Sequence, residues 1–240
     1  MIELTDTLRR SIVDNLARHD RLELALDGRR HAAVAILVVD STPGSDAHDP
    51  YEATQEELSV IPSDTTGLDG RMAGVAGGAS FVLCRRSAGL NRHASQWALP
   101  GGRIDAGETP IEAALRETDE EVGVRLDESA VLGVLDDYAT RSGYVITPVV
   151  VWGGAGVELT PHPGEVLAAY RVGLHELVRS DSPRFVSIPE SDRPVVQVPL
   201  GGDLIHAPTG ALLVQFRWVA LEGRVDARVA DFEQPVFAWG

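Results

Sequence analysis

The sequence predicts an α/β domain in which a mixed β-sheet is flanked by helices. Long apolar runs rich in β-branched residues predict several strands, while few segments show the periodicity of an amphipathic helix. The chain of 240 residues is long enough for one large domain or two small ones. Because neither an internal repeat nor a clear linker divides it, we expect one domain over residues 1–240.

The N-terminal elements follow from local patterns. Leu4, Leu8, Ile12 and Leu16 recur every fourth residue, which predicts an amphipathic helix in the first twenty residues. Residues 32–40 form a continuous apolar run and predict a buried strand. Residues 41–78 combine glycine, proline and acidic residues, so we expect a flexible insertion there.

The remaining elements are predicted in the same way, with strand patterns prevailing after residue 130. We expect strands over residues 79–86, 131–138, 144–152, 165–172 and 211–221, and a short helix over residues 173–180.

A second long helix is marked at both ends between residues 109 and 123. Thr109 can act as the N-cap, Pro110 suits the first helical position, and Glu112 completes a capping box. Gly123 stands where a left-handed residue would end the helix. The stripe expected to face the core consists of Ile111, Leu115, Thr118 and Val122.

Composition excludes some classes of partner. With 36 acidic and 21 basic residues the formal net charge is -15, which argues against non-specific binding to nucleic acid or to an anionic membrane. The single cysteine, Cys84, rules out an internal disulfide. No long apolar segment predicts a signal peptide or a membrane span, so we expect a cytoplasmic protein.

Three glutamates of the second helix share one face. Glu117, Glu120 and Glu121 are spaced i, i+3, i+4, which places their Cβ atoms within about 5–6 Å of one another. Such like charges destabilise an isolated helix, and in its C-terminal half they also oppose the helix dipole. From the helix alone, a solvated face and a site for a hard cation such as Mg²⁺ or Mn²⁺ remain alternatives.

The loop before the helix favours the metal site. The spacing G-x5-E-x7-R-E-U-x-E-E-x-G-U resembles a complete Nudix box, with Thr118 alone departing from the usual aliphatic residue. The matching positions are Gly102, Glu108, Arg116, Glu117, Glu120, Glu121, Gly123 and Val124.

The resemblance implies a Nudix α/β/α sandwich that hydrolyses a nucleoside diphosphate linked to another group, using Mg²⁺ or Mn²⁺. It implies that Glu120 and Glu121 are the principal metal ligands and that Glu117 is a further ligand or the base that activates water. The carbonyl of Gly101 is expected as a backbone ligand.

The resemblance also assigns supporting roles. Arg116 and Glu108 would orient Glu117 and the loop, while Gly102 and Gly123 would shape the box. Some members of the family carry one more catalytic glutamate outside the box. Glu165 is the candidate here, and a surface glutamate at the start of a strand is the alternative.

Residues 83–108 further resemble the coenzyme A pyrophosphatase branch of this family. Asn91, Ser95 and Leu99 depart from the pattern of that branch, and Asn91 replaces an arginine. Phosphate contacts could come instead from Arg86, Arg92 and His93, for which a solvated basic loop is the alternative.

These observations lead to one expected function and two alternatives. The expected reaction cleaves coenzyme A or an acyl derivative into adenosine 3′,5′-bisphosphate and a 4′-phosphopantetheine species. The alternatives are hydrolysis of ADP-ribose, a dinucleotide or a nucleotide sugar, and a non-catalytic nucleotide-sensing module. The apolar C-terminal residues could also pack against a second subunit in a homodimer.

Overall fold

A mixed sheet forms the centre of the computed structural model, which describes residues 1–46, 49, 51–87 and 96–239. Within these residues eight strands belong to this sheet. They are β1 (Arg30–Ser41), β2 (Gly78–Arg86), β3 (Trp97–Ala98), β4 (Gly101–Arg103), β5 (Val131–Val134), β6 (Tyr138–Ala139), β7 (Tyr144–Gly154) and β8 (Val166–Gly173).

The order β3-β2-β1-β7-β5 describes the main path through the sheet, with β8 pairing to β2, β4 to β1 and β6 to β7. Strands β1 and β7 run parallel, whereas the other pairings of this sheet are antiparallel. The sheet is therefore mixed, as the sequence predicts.

Alternation along β1 divides the hydrophobic core between the two faces of the sheet. Ala35 and Leu37 point to the face covered by α3 (Pro110–Val122). Ile36 and Val38 point to the opposite face, which is covered by α1 (Asp6–Arg18) and α5 (Thr209–Gln215). Helices on both faces confirm the predicted α/β class with a sheet between two helical layers.

Helix α3 begins and ends where the sequence predicts. The Thr109 hydroxyl accepts from the Glu112 amide at 3.2 Å, the Glu112 carboxylate accepts from the Thr109 amide at 2.8 Å, and Gly123 has φ of +72°. Thr118 is fully buried, and its hydroxyl donates to the carbonyl of Ala114 at 2.7 Å. The hydroxyl is thus satisfied inside the helix, which allows threonine at a position facing the core.

The strand predicted over residues 211–221 is wrong. Residues 209–215 form α5, and Phe216–Leu221 continue it as a π-helical turn. Every residue of α5 is buried, so the helix has no polar face and its sequence lacks the periodicity that separates a helix from a buried strand.

The strand predicted over residues 131–138 is interrupted between β5 and β6. Asp136 and Asp137 lie in the gap and are only 4% exposed. Asp136 accepts from the side chains of His19 at 2.8 Å and Gln215 at 2.7 Å, which requires it to leave the strand and face the helical layer.

A second, antiparallel sheet was not predicted. It contains β9 (Arg184–Ile188), β10 (Ser191–Leu200) and β11 (Asp203–His206). Pro194 and Pro199 lie within β10, and prolines in an apolar run argue against a strand. Buried residues of β10 and β11 join the same hydrophobic cluster as β1 and β2, as a single domain requires. The single domain stays a prediction.

The segment 41–78 contains one helical turn, α2 (Gln55–Ser59), and packs inward through Leu58, Met72 and Val75. The flexibility of this insertion stays a prediction. The short helix predicted over residues 173–180 is present over part of that range, as α4 (Leu174–Leu177). Within the described ranges, no helix is both long and apolar enough to span a bilayer.

Candidate metal centre

Three carboxylates converge at the C-terminal half of α3. Glu117, Glu121 and Glu165 each place one oxygen within 4.8 Å of the others. Glu121 is 5% exposed, Glu117 is half-buried, and Glu165 is exposed in the turn before β8. The cluster therefore combines two members of the predicted box with the glutamate predicted outside it.

The chain that follows α3 brings Glu165 to this position. The amide of Thr160 donates to Val122 at 2.8 Å, and the amide of His162 donates to the Glu121 carbonyl at 2.9 Å. These bonds hold the segment before β8 along the end of α3. A Cβ on Gly123 would lie 2.9 Å from the Cβ of Thr160, so glycine serves both the left-handed turn and this close approach.

Burial disfavours the ionised forms of Glu117 and Glu121. Burial raises the pKa of Glu121 to about 7, although the Gly101 amide, 3.0 Å from its Oε2, and the charge of Arg86 both lower it. Burial also raises the pKa of Glu117 against the opposing effect of Arg116. An all-oxygen set of crowded carboxylates fits a hard divalent cation, whose charge would offset both effects.

Glu120 lies beside this cluster and differs from it in environment. Its side chain is 57% exposed, and its Oε2 accepts from Nη1 of Arg116 at 3.0 Å. Asp119 faces another direction and pairs with Arg125 at 2.8 Å. The structure thus brings Glu117 and Glu121 together with Glu165, while the role of Glu120 as a ligand stays a prediction.

Arg116 connects the loop to the helix through a network of hydrogen bonds. Its Nε and Nη2 donate to the two carboxylate oxygens of Glu108 at 2.9 and 3.1 Å. Its Nη1 donates to Oε1 of Glu117 at 2.8 Å, and Nη2 also reaches the carbonyl of Arg103 at 3.1 Å. These bonds, led by the pair with Glu108, raise the pKa of Arg116 and fix one oxygen of Glu117.

Replacing Arg116 by lysine is expected to weaken Mn²⁺ binding about 10- to 100-fold, because lysine lacks the planar fork that binds Glu108 and Glu117 together. Titration calorimetry with Mn²⁺ measures the effect. Arg125→Lys is the matched control, since Arg125 is 86% exposed and pairs only with Asp119 among the contacts described. Equal Mn²⁺ affinity of Arg116→Lys and wild type would contradict this role of Arg116.

Two glycines of the loop permit close approaches. A Cβ on Gly102 would lie 2.2 Å from Oε1 of Glu117. A Cβ on Gly101 would lie 2.4 Å from the Ala33 carbonyl, where β4 pairs with β1. The loop can therefore cover the carboxylates only with glycine at both positions.

A cleft of about 400 Å³ opens in front of the carboxylates. Arg86 and Arg103 supply positive charge to its lining, and Leu99 contributes apolar surface. Arg86 thus lines the same cleft as the carboxylates, and its role as a phosphate contact stays a prediction. Arg92 and His93 lie outside the described residues, as do Asn91 and Ser95.

Part of the cleft comes from segments that are distant in the sequence and was not predicted. Thr140, Ser142, Thr209 and Gln234 line it, and no local motif marks them. The Gln234 side chain accepts from the Arg141 amide at 2.6 Å, which fixes it beside the turn between β6 and β7. Only the packed fold brings these residues to the cleft.

The neighbouring Glu233 secures this C-terminal segment. Arg141 and Arg193 contact its carboxylate at 2.5 and 2.9 Å. Burial raises the pKa of Glu233, but the hydrogen bonds from Arg141, Arg193 and Ser191 outweigh it and lower the pKa from 4.5 to about 2. A carboxylate whose pKa is lower in the folded than in the unfolded protein stabilises the fold at pH values above its unfolded pKa. This contribution is lost as the pH falls towards the folded pKa.

Glu233→Gln is therefore expected to lower the free energy of unfolding by about 2 kcal/mol at neutral pH, with the difference narrowing between about pH 5 and pH 3. Urea denaturation across this range measures it. Glu52→Gln serves as the control, because Glu52 is 72% exposed where it pairs with Arg71. If the difference in free energy of unfolding between wild type and Glu233→Gln stays constant or grows as pH falls, the lowered pKa of Glu233 is not the source of this stability.

Comparisons with known proteins point to one family. The family model for the NUDIX domain matches residues 72–192, just over half of the chain. The uncharacterized Nudix hydrolase NudL of Photorhabdus laumondii is 37% identical over 110 residues, covering 45% of this chain and 59% of that protein. NudL of Pectobacterium atrosepticum is 41% identical over 98 residues, covering 40% and 51%. The chain thus spans about half the length of the curated relatives it matches.

A solved structure was also found to be similar. The MutT/nudix family protein from Enterococcus faecalis has a TM-score of 0.49 at 16% identity, covering 82% of this chain and 62% of that one.

Proposed function

The chain belongs to the Nudix domain family, and on that basis we propose that it is a hydrolase of nucleoside-diphosphate-linked substrates that depends on Mg²⁺ or Mn²⁺. The observation that carries this proposal is the convergence of Glu117, Glu121 and Glu165 at a cleft that Arg86 also lines. A protein of net charge -15 repels an anionic substrate unless cations and arginines offset its charge locally.

In this proposal Glu121, Glu165 and the carbonyl of Gly101 hold the cation, with Glu120 as a further ligand. The bound cation would neutralise phosphate oxygens and polarise the phosphorus. Glu117 is the ligand or general base: its Oε1 is fixed by Arg116, and its Oε2 would take a proton from the attacking water. Arg86 would orient the diphosphate, and Arg92 and His93 are proposed to assist.

For the substrate we propose coenzyme A or an acyl derivative, cleaved to adenosine 3′,5′-bisphosphate and a 4′-phosphopantetheine species. The support is the resemblance of residues 83–108 to the coenzyme A pyrophosphatase branch. Leu99, one of the three departures from that branch, is buried and lines the cleft. Because leucine carries no charge, this departure changes the shape of the cleft and not its electrostatic potential. A cytoplasmic location belongs to the same proposal, consistent with the free thiol of Cys84.

ADP-ribose, a dinucleotide or a nucleotide sugar would undergo the same chemistry and is the second candidate. The proposed metal site acts on the diphosphate alone, so it does not distinguish between the groups attached to the diphosphate. A non-catalytic nucleotide-sensing module is disfavoured because the box carboxylates are intact and meet a third carboxylate, Glu165.

A substrate panel tests the proposal. The protein is incubated with coenzyme A, ADP-ribose, dinucleotides and nucleotide sugars, with Mg²⁺ or Mn²⁺ at neutral to mildly alkaline pH, and products are identified by mass. Metal-dependent release of adenosine 3′,5′-bisphosphate supports the coenzyme A assignment. If only ADP-ribose, a dinucleotide or a nucleotide sugar is hydrolysed, that compound class is the substrate instead. Nucleotide binding without any turnover would establish the sensing module instead.

A further inference from the structure

A second cavity of about 290 Å³ lies beside the cleft, between the insertion 41–78 and the second sheet. We call it the insertion pocket. It shares part of its wall with the cleft, so the two cavities are neighbours. The shared residues are Gln96, Trp97, Pro208, Thr209 and Ala238.

Most of this pocket is built outside the segment that matches the family. Tyr51, Leu58 and Ile61 precede the matched residues 72–192, while Leu204 and Phe237 follow them. The pocket is therefore a feature of this chain's additions to the family domain.

Arg85 fixes the insertion against the shared wall. It is 1% exposed, and its guanidinium lies 3.4 Å from the ring centre of Tyr51 and 3.9 Å from that of Trp97. Its Nη2 donates to the carbonyl of Gly70. On the other side, the Trp97 indole donates to Asp203 at 2.7 Å, which links the wall to β11. The insertion, Trp97 and the second sheet thus form one continuous wall.

The two carboxylates of the pocket, Glu57 and Asp203, accept hydrogen bonds from within this wall. Glu57 accepts from the Tyr51 hydroxyl at 2.6 Å and from the Thr54 amide at 2.7 Å. Asp203 accepts from the amide of Leu204 at 2.7 Å in addition to Trp97. Burial lowers the pKa of His206 to about 4, which makes its imidazole neutral at neutral pH. The lining left to contact a ligand is mainly apolar.

We propose that the insertion pocket binds an apolar group carried by the substrate, of the acyl-chain type, while the diphosphate lies at the carboxylates. The proposal rests on the proposed function for its substrate. The shared wall places the pocket next to the cleft, which argues for a part of the substrate as occupant. A nucleobase fits less well, because the carboxylates that could read its edge are already engaged by Tyr51, Thr54 and Trp97.

The first test compares coenzyme A with acetyl-, hexanoyl- and decanoyl-coenzyme A. We expect wild-type kcat/KM to rise by up to about fourfold per buried methylene until the pocket is filled. Ile61→Asp should abolish this rise and leave turnover of coenzyme A itself unchanged. Val60→Asp is a second variant at a 51% exposed position of the lining, where a charge has little effect on folding. Val13→Asp on α1 is the matched control, 37% exposed and outside both linings.

A second test does not depend on turnover. Binding of 1-decanol, which carries the apolar chain alone, is followed by calorimetry without metal. Wild type and Val13→Asp are expected to bind it, and Ile61→Asp and Val60→Asp to bind it at least about tenfold more weakly. Equal binding by all four proteins, no binding to wild type, or displacement of decanol by adenosine would overturn the proposal. If no coenzyme A derivative is hydrolysed, the substrate assignment fails, and decanol binding alone decides on the pocket.

Discussion

Replacing Glu121 by glutamine is expected to reduce turnover of the diphosphate substrate about 100- to 1,000-fold, measured as kcat/KM at saturating Mg²⁺. Glutamine keeps the shape of the side chain and can still accept from the Gly101 amide, so the loop and helix should retain their geometry. What is lost is the negative charge that we assign to holding the cation. Because that charge is buried, the metal-free variant is expected to be at least as stable as the wild type.

Variants of two other carboxylates on the same helix serve as comparisons. Glu120→Gln is expected to have a smaller effect, of about tenfold, since Glu120 is mostly exposed and contacts Arg116. Asp119→Asn should leave turnover unchanged, because Asp119 pairs with Arg125 away from the cluster. Full activity of Glu121→Gln, or an equal loss of kcat/KM in Asp119→Asn, would contradict the assignment of the cluster as a metal centre.

Gly102→Ala is expected to lower kcat/KM about 100-fold. The added Cβ would lie 2.2 Å from Oε1 of Glu117 and 2.5 Å from its Cδ, so one of the two groups must move. The carboxylate cannot move alone, because Arg116 holds the same oxygen at 2.8 Å and is itself fixed by Glu108. The expected outcome is therefore a displaced Glu117 carboxylate in a protein that is still folded.

Steady-state kinetics combined with thermal unfolding measures this effect. The variant should unfold cooperatively and lose far more activity than stability. Activity within about twofold of wild type would show that the carboxylate of Glu117 needs no fixed position.

The box and its helix could be predicted because their determinants are local. Thr109, Glu112 and Gly123 act within a few residues of the helix ends, so the sequence contains the whole signal. The buried strand β1 was equally clear from its apolar run. In contrast, the sequence of α5 predicts a strand, because complete burial leaves the helix no polar face and therefore no helical periodicity.

The rest of the site depends on contacts between distant residues. Glu165 was identified only by resemblance, and its approach to Glu121 depends on hydrogen bonds from residues 160 and 162 to the end of α3. Gln234 reaches the cleft because Glu233 is bound by Arg141 and Arg193 from other strands and turns. Similarly, no spacing predicts that Arg85 stacks between Tyr51 and Trp97.

The most direct test of the metal centre is a Mn²⁺ titration followed by electron paramagnetic resonance, with wild type, Glu121→Gln and Asp119→Asn compared at equal protein concentration. We expect wild type and Asp119→Asn to bind Mn²⁺ alike and Glu121→Gln to bind it at least about tenfold more weakly. Indistinguishable Mn²⁺ binding by wild type and Glu121→Gln would contradict the claim that Glu117, Glu121 and Glu165 form a metal centre.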